Sequence, residues 1–287
     1  MSRVLVAGCG YVGTALGVEL AERGDEVFGL RRDPSRLPAR IAPVVADLGD
    51  PATLGDLPAV DAVVYAAAAA GFAEPLYRGV YVDGLANLLR ALDARDRRPR
   101  RLLFVSSTAV YAQSDGGWVD ETSPAAFDHW SARALLAGEA LARGGVAEAI
   151  VVRFGGIYGP GRARLVEEAR AGATYAPGPP RWTNRIHRDD CAGALAHLLR
   201  LPDPAPLYLG VDDEPADRRD VLAWLAARLG APEPRPVADG DDDARRERSN
   251  KRCSNARLRA SGYAFRFPSF REGYAALVGV RVGKLSP

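Results

Sequence analysis

Seven short runs of the chain are apolar almost throughout: RVLVAG (3–8), EVFGL (26–30), APVVA (42–46), AVDAVVYA (59–66), RLLFVSS (101–107), AIVVRF (149–154) and PLYLG (206–210). Amphipathic stretches such as YVGTALGVELAERG and YVDGLANLLRALDAR separate most of them. A strand buried on both faces has no need of polar alternates, and strands separated by helices pair in parallel, so the pattern predicts a sheet covered on both sides. The expected fold class is α/β, a doubly wound parallel sheet. After Phe154 the rhythm loosens. Residues 155–183 are rich in Gly and Pro, and 231–248 (APEPRPVADGDDDARRER) read as a charged loop. The expected division is a sheet domain over 1–154 and a smaller C-terminal lobe over 155–287, with about 184–211 returning to the sheet. No internal repeat is evident.

Composition narrows the partners. Of 287 residues 47% are apolar and 26% charged, an ordinary globular balance that argues against disorder. The net charge is +2 with no long basic run, so neither nucleic acid nor a membrane surface is an expected partner. The most apolar stretch, AVVYAAAAAG (62–71), is about half of what a membrane span needs and reads as a strand entering an alanine-rich loop. The N-terminal MSRVLVAGCG meets its glycines too early for a signal peptide. Cys9, Cys191 and Cys253 are scattered and odd in number, which suggests neither a disulfide framework nor a metal site and fits a cytoplasmic protein.

The first strand runs directly into Gly8-Cys9-Gly10-Tyr11-Val12-Gly13, and an amphipathic helix follows. In that setting GxGxxG predicts a dinucleotide site: a turn without side chains, backbone close to a pyrophosphate, and a helix N-terminus aimed at its charge. The domain is therefore expected to be a Rossmann fold with a substrate lobe beyond it. An NAD site usually ends its second strand with Asp or Glu, but here Leu30 holds that place and Arg31 and Arg32 follow. Guanidinium groups suit a 2′-phosphate, so NADP is the expected cofactor. Two alternatives stay open: the arginines are ordinary surface residues, or Asp33 takes the acid's role. Before Pro34, Asp33 reads better as a helix N-cap.

Together these segments resemble the extended short-chain dehydrogenase/reductases, in their NAD-dependent epimerase/dehydratase branch. Asp47-Leu48 is similar to the family's adenine-contacting pair, and Ala66-Ala67 to its cofactor-lining loop. FVSSTAVYA (104–112) resembles the fifth-strand signature and puts Ser107 on the catalytic serine. RFGGIYGPG (153–161) and RIHRDDCAGAL (185–195) resemble the passage into the substrate lobe and the return from it, with Asp190 at the usual aspartate. The resemblance implies chemistry on a small-molecule substrate and allows a homodimer.

The family's Tyr-x-x-x-Lys pair is missing. With Glu139 aligned to the glutamate that follows that motif, Ser131 takes the tyrosine's place and Leu135 the lysine's. Nor does the pair occur elsewhere, since the only lysines, Lys251 and Lys284, follow Glu247 and Val280 by four residues. The resemblance gives the tyrosine the task of moving a proton at the substrate oxygen and the lysine that of holding the nicotinamide ribose. His129, with Arg133 four residues on, offers a substitute proton donor, although it stands roughly 200° from the glutamate's register on a continuous helix. Tyr111 and Tyr158 are further candidates, and a first-turn histidine beside a solvated arginine is the bland alternative. Sugar-nucleotide epimerases of this kind often grip a diphosphate with an arginine where this chain has Thr183, between Arg181 and Arg185. The expected function is an NADP-dependent oxidoreductase or epimerase/dehydratase-like enzyme acting on a small polar substrate. Ser107, His129 and Ser131 are its catalytic candidates, and no metal is expected. The alternative is a catalytically silent NADP(H) sensor.

Overall fold

The computed structural model describes residues 1–94, 98–125, 128–237 and 250–279. Lys284, the 238–248 part of the charged loop and residues 126–127 lie outside these. Seven parallel strands form the central sheet: β1 (Arg3–Ala7), β2 (Glu26–Arg31), β3 (Ala42–Val45), β4 (Ala62–Tyr65), β5 (Arg101–Ser107), then Glu148–Phe154 and Leu207–Gly210. All seven apolar runs became sheet strands. From β1 the sheet runs through β2 to β3 on one side, and through β4, β5 and Glu148–Phe154 to the edge strand Leu207–Gly210 on the other. The order therefore reverses between β1 and β4, and the carboxyl ends of these two strands border the crevice where such sheets bind ligands.

Alternation along β1 shows how both faces are covered. Val4 and Val6 point into a layer with Leu16 and Leu20 of helix α1 (Tyr11–Glu22) and with Leu195 and Leu198 further on. Leu5 and Ala7 point the other way, toward Leu85, Leu88 and Ala142. On this second face lie the short helix α2 (Glu74–Arg78), a π-helical turn at Gly79–Gly84, helix α3 (Leu85–Asp93) and the long α4 (Trp130–Gly145). The single helix expected around residues 81–95 is thus wound more widely at its start, and a π-helical turn admits an extra residue there. The apolar stretch 62–71 divides into buried β4 and a loop, and no described helix is long and apolar enough to cross a membrane.

Beyond Phe154 the chain forms helix α5 (Arg164–Arg170), helix α6 (Arg188–Arg200) and helix α7 (Arg218–Leu229), with a last described helix at Phe270–Val278. Helix α6 packs beside α1 on the sheet. Val166, Val221, Leu225, Phe270 and Tyr274 form a separate small core. Two-residue pairings connect distant segments: Trp118–Val119 with Arg252–Cys253, and Trp182–Thr183 with Ala216–Asp217.

Candidate functional site

Backbone geometry makes the glycine loop. Gly8 has φ +84°, and a Cβ there would lie 2.3 Å from Ala67 N, so the loop after β4 lies directly against the loop after β1. The Gly8 and Cys9 amides both donate to Leu30 O at 3.1 Å, tying the turn to the end of β2. Gly10 caps α1 without a side chain, so the first-turn amides of Tyr11, Val12 and Gly13 face outward uncapped. Gly13 is buried, and a Cβ on it would approach Gly8 O to 2.7 Å and Val6 Cγ1 to 2.9 Å. Cys9 is also buried, and that burial pushes its thiol up. The residues at 8, 10–13 and 66–67 are thereby brought to one place.

At the end of β2 the two arginines part. Arg31 turns inward and donates through Nη1 to Cys9 O at 3.2 Å, supporting the loop from below. Arg32 has a side chain 77% exposed and lies 3.9 Å from Asp47 Oδ2. Asp47 also accepts the Gly49 amide, and Leu48 O accepts Asn87 Nδ2, so the segment after β3 is fastened to α3. The helix expected after Asp33 is absent. Asp33 Oδ1 accepts the Ser35 amide at 2.9 Å in a turn closed by Leu37 N to Pro34 O, because Pro34 and Pro38 leave too few donors for a helix. Those hydrogen bonds hold the Asp33 carboxyl below its ordinary value.

Ser107 ends β5 and caps a 3-10 turn, its Oγ accepting the Ala109 amide at 3.1 Å and leaving its hydroxyl proton free to be donated. The neighbouring Ser106 donates to Glu139 Oε1 at 2.7 Å. Glu139 is fully buried and takes two bonds from Arg153, at 2.8 and 2.7 Å, which fixes the face of α4 that meets the sheet. On that face Ser131 and Leu135, the replacements for tyrosine and lysine, are both buried.

His129 lies elsewhere than a continuous helix would put it. Its φ of −129° and ψ of 139° are extended, so α4 begins only at Trp130 and the helical offset does not apply. The imidazole folds back over the first turn: Nδ1 lies 2.7 Å from Ser131 Oγ and accepts the Ser131 amide at 3.3 Å. With Nδ1 accepting, the ring proton is assigned to Nε2. The fold thus joins His129 to Ser131. Arg133 meets His129 through its backbone amide, which donates to His129 O at 3.0 Å, while its guanidinium pairs with Asp128 at 2.6 Å.

The two alternative tyrosines serve packing. Tyr111 donates its hydroxyl to Asp120 O at 2.9 Å under the Arg153 guanidinium. The Tyr158 hydroxyl is buried against Gly273, where a Cβ would overlap it, and burial pushes its pKa up. Lys251 is buried and donates to Tyr111 O at 3.1 Å, and desolvation lowers its pKa. Thr183 spends its hydroxyl on Ala216 O, and Arg185 is buried. Asp120-Glu121-Thr122 forms an Asx turn, and the Glu121 carboxylate accepts the Leu209 amide of the edge strand at 2.9 Å. Asp190 accepts Tyr263 Oη and the amides of Arg266 and Phe267, so it anchors the C-terminal segment to α6.

Sequence reasoning missed the surroundings of Tyr11. Its hydroxyl donates to Pro160 O at 3.1 Å, and the guanidinium carbons of Arg162 and Arg188 lie 5.7 and 5.3 Å from its ring centroid. Two cations from segments about 150 and 180 residues downstream thus flank the residue that opens α1.

Known proteins share this sequence and fold. The profile of the NAD dependent epimerase/dehydratase family matches residues 4–204. A 3-diazoavenalumate denitrifying reductase of a Streptomyces species is 32% identical over 254 residues, covering 80% of this chain and 82% of that protein. The human epimerase family protein SDR39U1 is 30% identical over 79% of this chain and 80% of its own. Its structure with NADPH superposes with a TM-score of 0.78 over 96% of this chain and 99% of that one, at 24% identity.

Proposed function

Given that the chain belongs to the NAD-dependent epimerase/dehydratase family, we propose that it is an NADPH-dependent oxidoreductase acting on a small carbonyl substrate. One observation carries the cofactor choice: Arg32 stands exposed beside Asp47, with Leu30 where an NAD enzyme would place an acid. The open amides at Tyr11, Val12 and Gly13 suit the pyrophosphate, Ala66 and Ala67 lie against the glycine loop, and Asp47 and Leu48 are assigned to the adenosine end. Arg31 then acts as a support of the loop, and Arg32 as the phosphate contact. The NADPH in the human relative's structure supports this reading.

When bound, the reduced nicotinamide supplies a hydride. Everything else falls to side chains. Ser107 retains a donatable proton and orients the substrate oxygen. His129 presents Nε2–H to that oxygen, while Ser131 serves either protonation state of the ring: it donates to neutral Nδ1, and accepts from Nδ1 once the ring is charged. The work of the missing tyrosine is thus divided between an N-cap histidine and its serine. Three buried thiols suit a reducing cytoplasm.

Fluorescence titration with NADPH and NADH tests the cofactor assignment. NADPH is expected to bind more tightly, and Arg32→Ala should weaken NADPH by about 1.5–3 kcal/mol while leaving NADH unchanged. Equal affinities in the wild type, or an Arg32→Ala variant that binds NADPH normally, overturn it.

A further inference from the structure

Opposite its polar contact with Ser131, the His129 ring meets aromatic neighbours. Phe72, from the loop after β4, stacks on it with centroids 5.9 Å apart and planes 15° from parallel. Trp130 packs on both, 4.6 Å from Phe72 and 4.8 Å from His129. Tyr77 meets Trp130 edge-on at 5.2 Å, and the series continues inward through Tyr81 to Phe104 and Tyr65 under the sheet. The outer end of this aromatic series is exposed: Phe72 is 44% accessible. Phe72 keeps more accessible surface than the half-buried Tyr77, His129 and Trp130 beside it, and an apolar ligand covering that surface would gain by burial. The position of Phe72 is held all the same, because Tyr65 donates to Val80 O at 2.5 Å and so secures the π-helical turn behind Tyr77 and Tyr81.

We propose that Phe72, Trp130 and the His129 ring form one wall of the substrate site, and that the substrate is a planar aromatic carbonyl compound whose ring lies on Phe72. The inference rests on the oxidoreductase reading for its chemistry and on the ring geometry for its ligand. In the reaction the carbonyl carbon gains a hydride from NADPH, and the oxygen gains the Nε2 proton of the protonated His129 ring, which is left neutral and takes its next proton from solvent. The C=O π bond is lost, and the alcohol and NADP+ leave. An aromatic ring gains from the wall both contact area and quadrupole-directed stacking, whereas a saturated ring of the same size gains contact area alone.

The discriminating ligands are benzamide and cyclohexanecarboxamide, unreactive carbonyl compounds that differ only in the planarity and π system of the ring. Isothermal titration calorimetry on the full chain with NADPH present should show benzamide binding roughly two- to tenfold more tightly. Phe72→Ala should erase that preference and Phe72→Tyr should keep it, with the melting temperatures of both variants showing that they are folded. Equal binding of the two amides, no binding of either, or a preference that survives in Phe72→Ala overturns the inference. Benzaldehyde and cyclohexanecarbaldehyde, followed by NADPH absorbance, separate this result from the oxidoreductase reading. Preferential benzamide binding without reduction of benzaldehyde leaves the aromatic site standing and removes the reductase, while reduction of both aldehydes at equal kcat/KM does the reverse.

Discussion

At the scale of single residues, the two glycines after Cys9 have different tasks although the motif treats them alike. Gly13 lies between α1 and β1, where a Cβ would strike the Gly8 carbonyl and Val6. Gly10 faces open space, its virtual Cβ meeting nothing nearer than Gly8 O at 3.9 Å. Gly13→Val should therefore destabilise the protein itself, by about 1–3 kcal/mol of overpacking. Gly10→Ala is the cleaner probe: its thermal midpoint should stay near wild type while NADPH affinity falls on the order of tenfold, about 1.4 kcal/mol, as the methyl group enters the space the pyrophosphate needs. Differential scanning fluorimetry and cofactor titration on both variants check the contrast. A Gly10→Ala protein that binds NADPH normally would make the loop a turn and nothing more.

At the scale of elements, two helices begin on a histidine. His129 caps α4 and His187 caps α6, each accepting the amide two residues on, the latter at 3.2 Å. His187 is buried against Phe267, and desolvation draws its pKa below the ordinary 6.5 even though Asp189 pulls the other way. The folded state therefore keeps this ring neutral at a pH where the unfolded chain has already taken up a proton. Its effect on stability is small above about pH 6.5 and grows unfavourable as pH falls from there toward the depressed folded-state value. His187→Asn keeps an acceptor at the cap and removes the titration. Denaturant unfolding between about pH 7.5 and 5.5 should show wild type losing more stability than this variant; parallel profiles would place the acid sensitivity elsewhere. The seven sheet strands were readable because full burial leaves them apolar throughout, whereas the two-residue strands at 118–119 and 182–183 carry no periodicity and exist only through partners far along the chain.

At the scale of the molecule, segments on both sides of Phe154 meet at Tyr11. Arg162 comes from the turn before α5 and Arg188 opens α6, and both guanidinium groups gather beside the helix terminus assigned to the pyrophosphate. Positive charge collected there, with Asp189 as the carboxylate paired to Arg188, favours an anion. Bound NADPH should consequently stabilise the whole chain, by about 2.7 kcal/mol at a hundredfold excess over Kd. The double variant Arg162→Ala/Arg188→Ala should show a smaller rise in Tm at the same NADPH concentration. An unchanged rise would mean that the two cations serve only to pack on Tyr11.

The sequence by itself determined the sheet, the glycine loop and the absence of the tyrosine–lysine pair, because apolar runs, a side-chain-free turn and a missing residue type are local properties. It also carried the buried Glu139–Arg153 pair as a register mark without showing what the pair holds. Tertiary structure alone decided that Arg31 supports the loop while Arg32 stays exposed, that Asp33 closes a turn, and that Tyr111 and Tyr158 are occupied in packing. It decided as well that His129 reaches Ser131, since an N-cap leaves the helical wheel and directs its side chain by an extended φ and ψ. The aromatic wall depends on a loop after β4 meeting the start of α4, and contacts between segments nearly sixty residues apart leave no period in the chain.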